Sequence, residues 1–201
     1  MKVSNRLQCP SIRSTSLVLA AALLGLPLAA NAQQPGNKAA PEAATKNETR
    51  KSNEQLSAQE VAFMKQAAQN NQAEIESSQL AAKKATQAQV KTFASKMVED
   101  HSKTGKELES LAAAKGVTLP KLPLAEQTDK LKLLEAAQGE TFDRLYSESM
   151  GVRAHVETVD LFRKASQQVQ DPQLKSFVTS TLPTLEHHLK MARDLQAAKS
   201  K

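Results

Sequence analysis

The stretch FASKMVEDHSKTGKELESL, residues 93–111, decides the reading of the fold. Phe93, Met97, Leu108 and Leu111 recur at helical spacings, so they fall on one stripe of a helix. His101 falls on that same stripe, in a chain that has only 4 histidines. Toward the N-terminus Val90 and Ala94 extend the stripe, and Thr86-Gln-Ala-Gln89 predicts a capping box that opens the helix at about residue 87. Toward the C-terminus Thr104 joins it, and Lys115-Gly116 predicts the end, glycine being suited to a left-handed cap.

The flanking segments read the same way. Ser57-Ala-Gln-Glu60 is a capping box for a helix that carries Phe63, Met64, Ala67, Asn71, Glu74, Ser78 and Ala81 on one face. Pro120 and Pro123 keep the next segment open, and a short amphipathic helix over 126–137 ends near Gly139. A long helix is expected over 140–169, with Phe142, Leu145, Val152, Val156, Val159 and Phe162 inward. Asp171-Pro172 is an N-cap followed by proline at the first helical position, and the helix after it holds Leu174, Val178, Thr181, Leu185, His188, Ala192 and Leu195. Pro183 predicts a bend in it. No segment alternates with period two over a useful length. The expected fold is all-α: an up-down-up-down four-helix bundle over 56–198, with a short extra helix between the second and third.

The N-terminal part reads differently. Lys2, Arg6 and Arg13 precede the apolar run LVLAAALLGLPLAA, and Ala30-Asn31-Ala32 is a cleavage pattern, so 1–32 is read as a secretory signal peptide. Cys9 lies before the apolar run and leaves with it. Residues 33–55 show no apolar period and read as a flexible linker. The expected location is the periplasm, with outer-membrane association as a further option. The remaining chain carries 24 basic against 21 acidic residues, which is +3 where the precursor is +6. Mixed charge and 3% aromatic content argue against a nucleic-acid partner, and nothing after residue 32 could span a membrane. Without cysteine, packing or a metal must supply what disulfides would.

Counting along the helices addresses His101. Glu74 and His101 lie about 18 and 22 Å from the connection at 86, at 1.5 Å per residue. His155 and the His187-His188 pair lie about 22 to 26 Å from the connection at 170. In an up-down-up-down bundle both connections share one end, so Glu74, His101, His155 and His188 fall in one slab, one from each helix. His188 is favoured over His187, which is rotated by about 100° from it, and His155 sits on the flank of its stripe. Three imidazoles and one carboxylate suit a single zinc, copper or iron ion. The alternative is a purely structural polar core, in a non-enzymatic envelope or stress-related protein. Val98 and Leu185 stand three residues before His101 and His188, so the Glu-x-x-His pattern of di-iron bundles is absent there. Asp100 is expected to pair with Lys96 or Lys103 on the helix surface, and Asp143 to favour the positive end of its own helix. With no Gly-x-Ser-x-Gly elbow and no cysteine nucleophile, nothing in the motifs points to an enzyme.

The segments AEIESSQLA (73–81), FASKMVEDHSK (93–103), ELESLAAAKGVTLP (107–120), GETFDRLYSESMGVRAH (139–155) and TLPTLEHHLKMARDL (181–195) together resemble the bacterial domain-of-unknown-function family 4142. The matching positions include Glu74, Asp100, His101, Phe142, Asp143, Tyr146, His155, Pro183, His188 and Leu189. The resemblance implies a ferritin-like four-helix fold and an envelope location, since members often carry an outer-membrane label. It implies no established activity.

Overall fold

The computed structural model describes residues 55–198, so the signal peptide read over 1–32, and the linker over 33–55 apart from Gln55, lie outside the described residues. Six α-helices and one π-helical segment follow in order. They are α1 (Ala58–Lys84), α2 (Ala88–Ala114), α3 (Ala125–Ala136), α4 (Gly139–Leu145), the π segment (Tyr146–Ala154), α5 (His155–Gln168) and α6 (Pro172–Ala198). α4, the π segment and α5 run on without a break, which leaves five helical rods and no strand among the described residues. None of these helices is long and apolar enough to cross a membrane.

The helix ends show how local chemistry sets the frame. The capping box at α1 forms: Ser57 N–H donates to Glu60 Oε2 at 2.8 Å, and Glu60 N–H to Ser57 Oγ at 3.2 Å. Glu60 Oε1 also accepts the N–H groups of Gln170 and Asp171, at 2.8 and 2.9 Å. One carboxylate thus ties the start of α1 to the turn before α6. Burial raises its pKa, but the bonds from Asp171, Ser57 and Gln170 outweigh that and hold it at about 2. Asp171 caps α6 by accepting from Gln173 and Leu174 N–H at 3.1 and 2.9 Å. Gly116, at φ 68°, ends α2 in a Schellman motif, with Val117 N–H on Ala112 O at 2.8 Å.

The second expected capping box does not form. Gln87 is the N-cap of α2 and its side chain makes no capping bond. Asp143 on α4 does that work from a distance: its Oδ1 accepts Thr86 N–H at 3.0 Å, and its Oδ2 accepts Gln87 N–H at 2.8 Å and the Thr86 hydroxyl at 2.7 Å. A carboxylate can take several donors where a threonine hydroxyl offers one oxygen. Asp143 therefore serves the start of α2 rather than only its own helix.

The long helix expected over 140–169 contains the π segment, in which the wider turn adds a residue and rotates everything after it. Val156, placed on the inward stripe by a plain helical count, is only partly buried, whereas His155 is 1% exposed. Pro183 sits exposed within α6, which continues through it.

The apolar core has two parts. Phe63, Met64, Leu108, Phe162, Phe177 and Leu185 belong to one. Phe93, Met97, Leu134, Phe142, Tyr146 and Met150 belong to the other. Between them, the buried polar residues Glu74, His101 and His155 reach both. Phe93 meets the His155 ring at 6.4 Å, and Leu108, Phe162 and Leu185 share a cavity wall with Glu74 and His101.

Candidate metal centre

Three rods each deliver one imidazole: His101 from the middle of α2, His155 from the first position of α5, and His188 from α6. They are 4%, 1% and 1% exposed. Their ring centroids form a nearly equilateral triangle, with sides of 5.6, 5.4 and 5.5 Å. One nitrogen from each lies within 4.8 Å of the others. His187, the neighbour of His188, is exposed.

Each ring spends its other nitrogen on an acceptor outside the triangle. His101 Nδ1 lies 3.0 Å from Asn71 Oδ1, His155 Nδ1 lies 3.0 Å from Met150 O, and His188 Nε2 lies 2.8 Å from Asp100 Oδ2. An amide oxygen, a carbonyl and a carboxylate can only accept, so in each case the ring nitrogen donates. That fixes the tautomers and leaves His101 Nε2, His155 Nε2 and His188 Nδ1 as bare lone pairs. All three are buried and find no hydrogen-bond partner.

Electrostatics agree. Burial, and then the charges of His155 and His188, hold His101 well below the usual histidine range. Burial takes His155 down to about 4, against the pull of its bond to Met150. Burial lowers His188 as well, against its bond to Asp100. At neutral pH all three rings are uncharged and able to ligate.

Glu74 on α1 stands beside this triangle rather than within the group of close nitrogens. It is 3% exposed, neither carboxyl oxygen has a hydrogen-bond partner, and its Oε1 lies 3.6 Å from His155 Nδ1. That nitrogen already gives its proton to Met150 O. The pair is therefore not a salt bridge: burial raises Glu74 to about 8 and lowers His155, and both are neutral together.

Two supports of the triangle were not singled out by the sequence. Asp100 does pair with Lys96, at 2.8 Å, but its second oxygen turns inward to His188. The residues are 88 apart in sequence, so only the family pattern, which includes Asp100, carried a hint of it. Asn71 lay on the inward stripe of its helix with no role attached. Gly105 makes room for it, since a Cβ there would come within 2.7 Å of Asn71 Nδ2. The remaining surroundings are packing and hydrogen bonds: Met97 is fully buried in the apolar core, and the Tyr146 hydroxyl shares a bond of 2.9 Å with Ser78.

Comparison with known proteins agrees on the fold. The profile of a family described as Domain of unknown function (DUF4142) matches residues 45–195. Among solved structures the chain is similar to one titled "Crystal structure of DUF305 fragment from Deinococcus radiodurans", with a TM-score of 0.62 at 14% identity. The likeness covers 71% of this chain and 99% of that one, and it speaks for the fold alone. No curated protein matches the sequence.

Proposed function

The chain belongs to the DUF4142 family, and we propose that this member is an exported up-down-up-down four-helix bundle that binds a single transition-metal ion. His101, His155 and His188 are the ligands, and Glu74 is the carboxylate available to a fourth position. The ion is zinc, copper or iron, the class that imidazole-rich sites without thiolate take. The site of action is the periplasm, at or near the outer membrane, as the leader and the family's envelope label suggest.

One observation carries this reading. One nitrogen from each of His101, His155 and His188 lies within 4.8 Å of the others, and each ring keeps one buried nitrogen without a partner while an acceptor orients its other one. Oriented second nitrogens are the usual accompaniment of metal-ligating histidine. Nitrogens bonded to one ion at about 2 Å lie roughly 3.3 Å apart, so ligation asks for ring movements of about an ångström. A purely structural polar core would bond these groups to one another, to Glu74 or to water, and here they make no hydrogen bonds to one another or to Glu74. Each buried polar atom left in that state costs about 1–3 kcal/mol, a penalty that an ion would remove.

The bundle topology is supported by the short connections. Three residues, 85–87, join α1 to α2, and Asn71 meets His101 well back along both helices. Three more, 169–171, join α5 to α6.

The test is elemental analysis of the exported chain, purified without a histidine tag and equilibrated in turn with zinc, copper(II) and iron(II). One ion per chain is expected for at least one metal, with a rise in melting temperature, and His101→Ala should abolish both. If no metal is retained and none shifts the melting temperature, the reading is wrong.

A further inference from the structure

Away from the histidines a cleft of about 380 Å³ lies between α1 and the C-terminal half of α2, bordered by residues 117–121. Its wall is largely apolar, with Leu108, Ala112, Val117, Leu119 and Pro120. Small-molecule sites have this character: about 300–1,000 Å³, mostly apolar, with a few placed polar groups. Here the placed group is Asn71, whose amide serves two sides. Oδ1 takes the proton of His101 Nδ1 at 3.0 Å. Nδ2 lies against Gly105, a residue of the cleft wall, so close that a Cβ there would come within 2.7 Å of it. Among the described residues Nδ2 has no acceptor. Glycine inside a helix is unfavourable for backbone entropy, and at this position it leaves room for that amide at the wall.

We propose that the cleft binds a small neutral organic molecule with an apolar body and one carbonyl oxygen, which accepts the unspent N–H of Asn71. Glu109 and Lys121 both line the cleft, so their opposed charges give an anion or a cation no net attraction. The wall supplies apolar contact and Asn71 supplies a donor, which together select a carbonyl compound. The site itself stands apart from the metal. Its link to the metal rests on the reading above, because the occupant sits one amide away from His101. An acceptor on Nδ2–H shifts amide electron density toward Oδ1 and strengthens the bond to the ring. Occupancy of the cleft and of the metal centre should therefore favour each other, by the same factor in both directions.

The probe is Prodan, a neutral naphthyl ketone, added to the exported chain in the presence of a chelator and read by the blue shift of its emission. Saturable binding at one per chain is expected. Dimethylaminonaphthalene, which lacks the ketone, should compete about tenfold less well. Asn71→Asp removes the donor and should erase that preference. Ala68→Leu and Ala113→Leu fill the cleft from facing helices, and each should weaken Prodan about tenfold or more while metal stays bound at one per chain. No saturable binding, or unaltered affinity in both leucine variants, would overturn the site. Equal competition by dimethylaminonaphthalene would overturn Asn71 as its polar contact. Zinc should tighten Prodan binding, and equal affinities with and without zinc would overturn the coupling. If Prodan binds as expected and no metal is retained, the metal reading and the coupling fall and the cleft stands.

Discussion

His188 Nε2 lies 2.8 Å from Asp100 Oδ2, and the other oxygen of Asp100 is held at 2.8 Å by Lys96 on the surface of α2. The link runs from an exposed lysine through a half-buried carboxylate to a buried imidazole. It orients the ring and makes its inward nitrogen more basic. Asp100→Asn should therefore lower metal affinity about 10- to 100-fold with little change in helical content. Competition against a chelator of known affinity, with circular dichroism as the control, checks this. Lys96→Ala should have a far smaller effect, because an exposed ion pair contributes little.

The unpartnered inward atoms make a second prediction, about stability without metal. His101→Leu replaces a buried ring, whose Nε2 has no hydrogen-bond partner, by an apolar side chain at the same place. It also leaves Asn71 without its ring partner, but Asn71 is only half-buried and can turn to solvent. The metal-free variant is expected to be more stable than the parent by about 1–3 kcal/mol, the usual cost of an unsatisfied buried group. Chemical denaturation in the presence of a chelator measures it. The same variant should show no stabilisation by metal, so the order of stabilities reverses when the ion is supplied.

The perturbed acid and bases make the metal-free protein sensitive to pH in two directions. The histidines titrate below their ordinary 6.5 when folded, so their contribution is lost as pH falls below 6.5, that of His155 through about 4. Glu74 titrates at about 8 when folded against 4.5 when unfolded, so its contribution is lost as pH rises through 8. The melting temperature without metal should peak near pH 6.5 and decline toward pH 8. Glu74→Gln should flatten the alkaline side and steepen the rise between pH 4.5 and 6.5, where the carboxyl opposes the histidines. A peak that stays put and an alkaline limb unchanged by the substitution would show that Glu74 does not titrate in this window.

Gly105 gives a test in which local propensity and site geometry oppose each other. Alanine is a better helix former than glycine by about 0.8–1.0 kcal/mol. A Cβ at position 105 would nonetheless press to 2.7 Å from Asn71 Nδ2, displacing the amide that orients His101. Gly105→Ala is expected to weaken metal binding by an order of magnitude or more through loss of that orienting bond, whatever it does to the melting temperature. Calorimetric titration of both proteins separates the two effects.

Sequence alone carried the frame well and the details of rotation poorly. Ser57 with Glu60, Gly116, and Asp171 with Pro172 are local signals, and each sits where the helices begin or end. The face of His101 followed from spacing, because α2 is a plain α-helix between its ends. His155 was different. A count carried down from Phe142 leaves it on the flank, because the π segment over Tyr146–Ala154 offsets the two ends of the rod, a device with no compositional signature; beyond that segment His155 falls in line with Val159 and Phe162, four and seven residues on. The partners of Asp143 and Asp100, 56 and 88 residues away, were beyond any local reading. Thr86 shows the same limit from the other side: a good capping pattern gave way to a stronger acceptor from another rod.

The layer of histidines and Glu74 touches both parts of the apolar core, and this has a consequence for how the molecule opens. Dispersion and solvent exclusion transmit cooperativity through contiguous apolar contact, and a seam of uncompensated polar groups interrupts it. Without an ion, the two halves are expected to exchange amide hydrogens as separate units with different opening free energies. An ion riveted across α2, α5 and α6 would fuse them into one, so that the weaker half gains protection many residues away from any ligand.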